Sequence, residues 1–249
     1  DGSEITDLSE INDIPISNLF FDSREVSKNS LFFALPGTHT DGNLFIEQAI
    51  LAGANAVVFQ GELSPSQKKD VATAIIKRTI ENELSDEKTK FAPVLINVPD
   101  SRFAMAPVSA CFYDNPSERL IVIGVTGTEG KSSTVSFIWQ YLRACGYKAG
   151  FISTVEYSFG DDVLPNPQHQ TTPESPVIQH HLNEMPQNGC TYAVIESSSH
   201  GLSSKLNRCG NIIFDCGVFM NVTLEHLEFH KNFETYRSDK ANLFRMLDK

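Results

Sequence analysis

The sequence has 249 residues, of which 41% are hydrophobic and 20% charged, and its formal net charge is −11. This length allows one large or two ordinary domains, and the composition is that of a globular protein. The acidic charge argues against binding to nucleic acid or to an anionic membrane surface. No apolar run approaches membrane-spanning length, no signal peptide is present, and the five cysteines show no zinc-site spacing. Together these features predict a cytoplasmic protein.

Strands and helices alternate in the first half of the chain, which predicts a layered α/β arrangement with parallel strands. Strands are predicted at residues 20–24, 30–35, 56–59 and 94–98. Helices are predicted at residues 43–52, 71–80 and 102–113, with a solvated loop or linker at 81–90. Asn115-Pro116 breaks the last of these helices, so the domain boundary is placed there, giving domains 1–116 and 117–249.

The second half begins with the stretch that carries the clearest chemical signal. The apolar run at 120–123 predicts a buried strand, and a glycine-rich turn then leads into a helix that Gly146 ends. Such a turn presents backbone N–H groups to an anion, Lys131 adds a full positive charge, and Ser132 is the usual place for Mg²⁺. The pattern predicts a phosphate loop, although Val125 stands where the generic P-loop has its first glycine. The alternative is a glycine-rich turn without a ligand.

Beyond this loop, strands are predicted at residues 149–157, 192–195 and 212–220, with a hairpin turn at 159–162. A helix is predicted to open at Thr172-Pro173, since Thr172 is a good N-cap. Glu196 ends a strand beside the phosphate loop, where a carboxylate is expected as a second Mg²⁺ ligand; the alternative is a solvated glutamate. His226 and His230 are four residues apart and could share a helix face, but such a pair is more often a surface feature than a metal site.

Several stretches, in their order and spacing, match those of a known family. They are DSREV (22–26), LFFALPGTHTDGNLFIEQAILAGANAVV (31–58), FYDNPSERLIVIGVTGTEGKSST (112–134), TTP (171–173), ESSSHGL (196–202), FDCGVFMNVTLEHLEFH (214–230) and YRSDKANLF (236–244). On these stretches the chain resembles the Mur ligase family, and within it the MurE-type UDP-N-acetylmuramoyl-tripeptide synthetases of peptidoglycan synthesis. The resemblance implies a mixed α/β uridine-nucleotide-binding domain followed by part of a P-loop parallel-sheet ATPase domain.

The resemblance also implies a role for each matching position. The ATP phosphate loop would comprise Gly127, Thr128, Gly130, Lys131, Ser132 and Ser133. The Mg²⁺ ligands would be Ser132, Glu196, His226 and Lys240, the last as a carbamate on its amine, although without the resemblance Lys240 would be a solvated helix lysine. The catalytic residues would be Lys131, Glu196, His226 and Lys240. The contacts to UDP-N-acetylmuramoyl-dipeptide would be Ser23, Thr38, His39, Thr40, Thr171, Thr172, Ser198 and Arg208.

The implied reaction is ATP-dependent amide formation, in which a substrate carboxylate attacks the γ-phosphate and an amino acid then displaces phosphate from the acyl phosphate. Three positions depart from the family pattern. Glu129 replaces the usual Asn beside the phosphates, Glu225 replaces the Asp before His226, and the spacing to Arg208 is longer than usual. The chain begins at Asp1 and ends inside the central domain by family comparison. It is therefore expected to be a fragment without the C-terminal amino-acid-binding domain, and poorly competent in ligation by itself.

Two other functions stay open from the sequence. Ligases that share the central domain, such as folylpolyglutamate synthase and cyanophycin synthetase, are disfavoured by the stretches DSREV and LPGTHTDG, which belong to the uridine-nucleotide domain. A non-catalytic nucleotide-binding module is suggested by Glu129 and by the early end of the chain. On the favoured interpretation the protein is a monomer that binds ATP, Mg²⁺, the muramoyl dipeptide and an amino acid, without nucleic acid and without membrane insertion.

Overall fold

The computed structural model describes residues 14–37, 40–84, 92–168, 170–223, 225 and 227–247. Internal contacts divide the chain into two compact units between Arg102 and Phe103. The boundary predicted at Asn115-Pro116 lies further along the chain. The difference arises because the helix at Ser101–Phe112 has its contacts from Phe103 onward within the second unit, where the side-chain amide of Asn207 donates to Phe103 O (3.3 Å).

The first unit is built on a sheet of four parallel strands in the order β1-β2-β3-β4. The strands are β1 (Asn18–Phe20), β2 (Ser30–Phe33), β3 (Ala54–Gln60) and β4 (Val94–Val98). The helices are α1 (Ile46–Ala52), α2 (Pro65–Leu84) and the start of α3 (Ser101–Phe112), with a 3-10 turn at Gly42–Phe45. Phe32 of β2 lies opposite Val57 of β3, and both pack with Ile46 and Ile50 of α1 in one core.

The predicted elements of this unit are present, and the largest differences in extent are at the first strand and at α2. The first strand ends at Phe20 rather than Arg24, because the carboxylate of Asp22 turns the chain by accepting the backbone N–H (3.0 Å) and the Nε–H (2.9 Å) of Arg24. Helix α2 is longer than predicted, so residues 81–84 of the predicted loop are helical, whereas 85–90 lie outside the described residues. Gly53 ends α1 in the left-handed region at φ +118°, a conformation that favours glycine.

The second unit is built on a six-stranded sheet in the order β10-β5-β9-β6-β7-β8, parallel from β10 to β6 and antiparallel beyond. The strands are β5 (Ile121–Thr126), β6 (Ala149–Ile152), β7 (Glu156–Ser158), β8 (Val163–Pro165), β9 (Tyr192–Glu196) and β10 (Cys216–Phe219). The helices are α4 (Lys131–Ala144), α5 (Ser175–Gln187), α6 (Ser199–Leu202), α7 (Leu227–His230) and α8 (Phe233–Arg245), with a 3-10 turn at Pro116–Arg119. The α/β class is confirmed. Among the helices described in either unit, none combines the length and apolarity needed to cross a membrane.

Strand β5 continues through Gly124 instead of ending there. A Cβ at Gly124 would lie 2.8 Å from Cε1 of Phe214 and would also collide with Leu243 of α8. Both of these side chains are fully buried. The glycine therefore allows α8 to pack closely on the strand that leads into the phosphate loop.

Three predicted elements of the second unit are wrong in extent. The strand at 149–157 is split into β6 and β7, because the N–H (3.0 Å) and hydroxyl (2.8 Å) of Ser153 both donate to Glu156 O and close a turn. The strand at 212–220 is shortened to Cys216–Phe219. The helix predicted to open at Thr172-Pro173 begins instead at Ser175, with Glu174 at its N-cap position, since Thr172 has other partners.

Candidate functional site

A cavity of about 190 Å³ opens in the second unit beside the carboxyl ends of β5 and β9. Ligands of open α/β sheets bind at this edge. Many of the residues predicted for function line the cavity, namely Gly127, Thr128, Lys131, Thr171, Thr172, Ser198, Arg208 and Lys240. Residues predicted from separate stretches of the chain are thus brought to one place.

The phosphate loop joins β5 to α4 and presents amides at the start of that helix. Gly130 precedes α4 in the left-handed region at φ +79°, a conformation that favours glycine. The first N–H groups of a helix have no partner within it, so those of Lys131, Ser132 and Ser133 are oriented to bind an anion. The Nζ of Lys131 donates to Thr128 O of the same loop (2.8 Å), which keeps its charge beside these amides.

Asn221, which follows β10, holds the first half of the loop. Its Oδ1 accepts the N–H groups of Thr128 (3.1 Å) and Glu129 (3.0 Å), and its Nδ2 donates to Glu129 O (3.2 Å). Gly127 has no room for a side chain, because a Cβ would lie 2.8 Å from Cβ of Met220. The side chain of Glu129 is exposed and does not line the cavity. The sequence analysis missed Asn221; its place directly after a predicted strand was the available signal.

Ser132 and Glu196 meet as predicted. The hydroxyl of Ser132 lies 3.0 and 2.9 Å from the two carboxylate oxygens of Glu196, which is 2% exposed. Thr154 donates its N–H (2.9 Å) and hydroxyl (3.1 Å) to Oε2 of the same carboxylate. Over the ranges that the structure describes, no cation pairs with Glu196. A buried carboxylate next to a hydroxyl, without a cationic partner, fits the oxygen donors that Mg²⁺ prefers.

Lys240 is buried, at 2% exposure, rather than solvated. Its Nζ donates to Gly127 O (2.5 Å) and lies 4.5 Å from the centre of the Tyr236 ring. Burial, reinforced by the positive charge of Lys131, lowers the pKa of Lys240 to about 8, while Glu225 acts in the opposite direction. The neutral amine is therefore much more populated than in an exposed lysine.

The residues predicted to contact the muramoyl-peptide arm form one hydrogen-bonded group. The hydroxyl of Thr172 donates to Glu196 O (2.9 Å) and accepts the N–H of Ser198 (2.9 Å), which ties the segment before α5 to the end of β9. Arg208 donates to Thr172 O (3.1 Å) and to the carboxylate of Glu174 (2.8 Å). The group is thus ordered by its own contacts, and the charge of Arg208 is paired.

A separate cavity of about 470 Å³ lies in the first unit. Ser23 and Thr40, both predicted to contact the uridine nucleotide, line it together with Asp22, Arg24 and Phe45. Thr38 and His39, predicted for the same role, lie outside the described residues.

Of the two histidines in the stretch 214–230, the structure describes only the second. His226, predicted as a metal ligand, lies outside the described residues. His230 is a buried residue, not a surface one, and both of its ring nitrogens have partners, Asp239 and Ser199. In the described ranges no group of three or more His, Cys, Asp or Glu side chains could hold a metal ion.

The sequence and the fold are similar to those of one set of known proteins. Residues 15–107 match the profile described as "Mur ligase family, catalytic domain", and residues 125–249 match "Mur ligase middle domain". The UDP-N-acetylmuramyl-tripeptide synthetase of Treponema denticola is 52% identical over 94% of this chain and 42% of the relative. That of Treponema pallidum is 51% identical over 94% of this chain and 39% of the relative.

A solved structure of a UDP-N-acetylmuramoyl-L-alanyl-D-glutamate–2,6-diaminopimelate ligase has the same fold, with a TM-score of 0.70 at 25% identity. The alignment covers 94% of this chain and 42% of that one. The chain thus spans 42% of the length of the Treponema denticola relative and of this solved chain.

Proposed function

Because this chain belongs to the Mur ligase family, we propose that the complete protein is an ATP-dependent amide ligase of peptidoglycan synthesis. It adds the third amino acid to UDP-N-acetylmuramoyl-L-alanyl-D-glutamate through an acyl phosphate. The names of the Treponema relatives, as tripeptide synthetases, support this substrate class. We also propose that the protein acts in the cytoplasm as a monomer.

The observation that carries the proposal is the hydrogen bond from Ser132 of the predicted phosphate loop to the buried carboxylate of Glu196, while Thr128 and Lys131 of the same loop line the cavity. Phosphoryl transfer depends on positioning and on neutralisation of charge more than on covalent help from the protein. Lys131 and the amides at the start of α4 hold the terminal phosphates of ATP. Mg²⁺ would be held by Ser132 and Glu196, and a second ion by His226 and carbamylated Lys240, where it would neutralise charge between the carboxylate and the phosphate.

The rest of the proposed substrate site follows from the two cavities. In the second unit, Thr171, Thr172, Ser198 and Arg208 contact the muramoyl-peptide arm, since they lie beside the phosphate loop. In the first unit, Ser23, Thr38, His39 and Thr40 contact the uridine nucleotide; Ser23 and Thr40 line a cavity there. The amino acid that is added is left unassigned.

The rival functions receive less support. Ligases of the folylpolyglutamate or cyanophycin type share only the central domain with this family. Residues 15–107, which precede that domain, match a Mur ligase profile. One of the two arguments for a non-catalytic module was the carboxylate of Glu129, whose exposed side chain leaves the cavity clear.

The test is Lys131→Ala in the complete protein, with ATP, Mg²⁺, UDP-N-acetylmuramoyl-dipeptide and a panel of amino acids that includes 2,6-diaminopimelate. We expect ADP release to be abolished, because the terminal phosphates lose their cationic partner. Lys148→Ala is the matched control, since that lysine is exposed and pairs with Asp161. Near-normal turnover of Lys131→Ala, or tighter binding of folate than of the muramoyl dipeptide by the wild type, would contradict the proposal.

A further inference from the structure

Two buried side chains and one partly exposed carboxylate of the second unit form a continuous hydrogen-bonded series. His230 Nδ1 lies 2.8 Å from Oδ2 of Asp239, and His230 Nε2 lies 3.0 Å from Oγ of Ser199. Ser199 and His230 are each 2% exposed. Because an ionised carboxylate can only accept hydrogen bonds, the neutral imidazole is assigned its proton at Nδ1, and Nε2 then accepts the hydroxyl proton of Ser199. The oxygen of Ser199 is left with lone pairs able to accept another proton.

The series runs between two cavities. Ser199 lines the cavity that contains the phosphate loop, together with Lys131 and Lys240. His230 and Asp239 line a second cavity of about 330 Å³, where the side chain of Asp239 is 14% exposed. One end of the series therefore lies at the cavity of the predicted phosphate loop, and the other end is partly exposed to solvent.

We propose that Ser199 is a catalytic residue of the ligation step and that it works as a proton relay with His230 and Asp239. The inference rests on the proposed function. The neutral amine of the amino acid attacks the acyl-phosphate carbonyl carbon, so that the C–N bond forms. The C–O bond to phosphate breaks, and its electron pair leaves on the phosphate. The proton lost from nitrogen passes to Ser199 Oγ while the hydroxyl proton of Ser199 passes to Nε2 of His230.

The surroundings of His230 favour this direction of transfer. Asp239 stabilises the imidazolium that forms, as a carboxylate does in a Ser-His-Asp arrangement. Three aromatic rings also contact the imidazole: Phe229 (4.7 Å between ring centres), Tyr236 (5.1 Å) and His200 (5.2 Å). Of these, His200 is the group that can bring a competing positive charge. The proton then returns from Nε2 of His230 through Ser199 to the departing phosphate, which restores the starting protonation states of both residues.

The test separates the attack of the amine from the formation of the acyl phosphate. Hydroxylamine reacts with acyl phosphates without a base from the protein and loses its proton to water as the hydroxamate forms, whereas the amino acid is proposed to give its proton to Ser199. In the complete protein we expect Ser199→Ala to lower kcat for the best amino acid of the panel by about 10²-fold or more, with the rate of hydroxamate formation unchanged. His230→Gln should behave in the same way. Ser204→Ala, an exposed serine of the same segment, is the matched control and should change neither rate.

Each result distinguishes the proton relay from a purely structural role of Ser199 and from a role in phosphate transfer. An equal loss of both rates in Ser199→Ala would assign the residue to structure or to phosphate transfer, and unchanged ligation would remove it from the mechanism. Either result would overturn the relay. A wild-type protein that forms neither product would refute the proposed function itself, and the relay with it, whereas loss confined to the variants concerns the relay alone.

Discussion

Lys240 is expected to react with carbon dioxide far more readily than the other lysines of the chain. Its pKa is lowered from 10.5 to about 8. At pH 7.5 the neutral fraction of its amine is then about one quarter, against about one in a thousand for an ordinary lysine, a gain of a few hundred-fold. Carbon dioxide adds to the neutral amine, and the N–H that remains in the carbamate can still donate to Gly127 O.

The assay is carbon-13 NMR of the protein equilibrated with labelled bicarbonate near pH 8. The terminal α-amino group also forms a carbamate near pH 8, since its ordinary pKa is about 8. Besides that signal we expect one lysine carbamate resonance, which is absent in Lys240→Arg and retained in Lys205→Arg, whose lysine is exposed. Below about pH 7 the neutral fraction of Lys240 falls tenfold for each pH unit, and the signal should weaken with it. The reasoning would be refuted by a lysine carbamate resonance that persists in Lys240→Arg, or by its absence from the wild type at saturating bicarbonate.

The same lowered pKa makes stability depend on pH in a defined direction. The unfolded chain binds a proton at Lys240 up to about pH 10.5, whereas the folded chain releases it above about pH 8. The free energy of unfolding should therefore rise as the pH is raised from about 8 to about 10.5. Below pH 8 the buried ammonium group of Lys240 destabilises the folded state to its full extent. Denaturant titrations should show less of this rise in Lys240→Gln.

Three further predictions concern other parts of the fold. Gly124→Ala should lower the free energy of unfolding by about 1–3 kcal/mol in urea titrations, because the new Cβ collides with Phe214 and Leu243; an unchanged value would contradict the packing. Asn221→Ala should weaken ADP binding about tenfold by calorimetry, and Glu129→Gln in the same chain should restore part of it, since the freed loop lets that carboxylate approach the phosphates. Burial lowers the pKa of His181 to about 4, so stability should fall as the pH is lowered from 6.5 to 4, and His181→Phe should show a smaller fall in melting temperature.

The sequence predicted the strand, turn and helix around Lys131 well because their signals are consecutive. A buried strand, a glycine turn and an amphipathic helix follow one another directly, and Lys131 and Ser132 lie between them. Glu196 was also predicted correctly as a neighbour of Ser132, since parallel strands bring their carboxyl ends to one edge. In both cases the local pattern and the topology point to the same place.

Other residues were misjudged because their partners are distant in the chain. The hydroxyl of Thr172 would suit an N-cap, but it bonds Glu196 O, which lies 24 residues away. Lys240 was expected to be solvated without the family resemblance. Its spacing from Tyr236 and Leu243, at four and three residues, places it on the buried face of α8, and this was a usable signal. The partners of His230 follow no sequence pattern that would have found them.

The attachment of the phosphate loop to Asn221 affects the thermodynamics of nucleotide binding. Thr128 and Glu129 are already fixed before a nucleotide arrives, so binding does not have to restrict their backbones, which would cost about 1–2 kcal/mol for each residue. The N–H groups of Thr128 and Glu129 already donate to Asn221, so we expect an anion to be bound by the amides from Gly130 onward. Strand β10 thus fixes the conformation of the loop through Asn221. A displacement of this strand should therefore lower the affinity for nucleotide before it affects other properties.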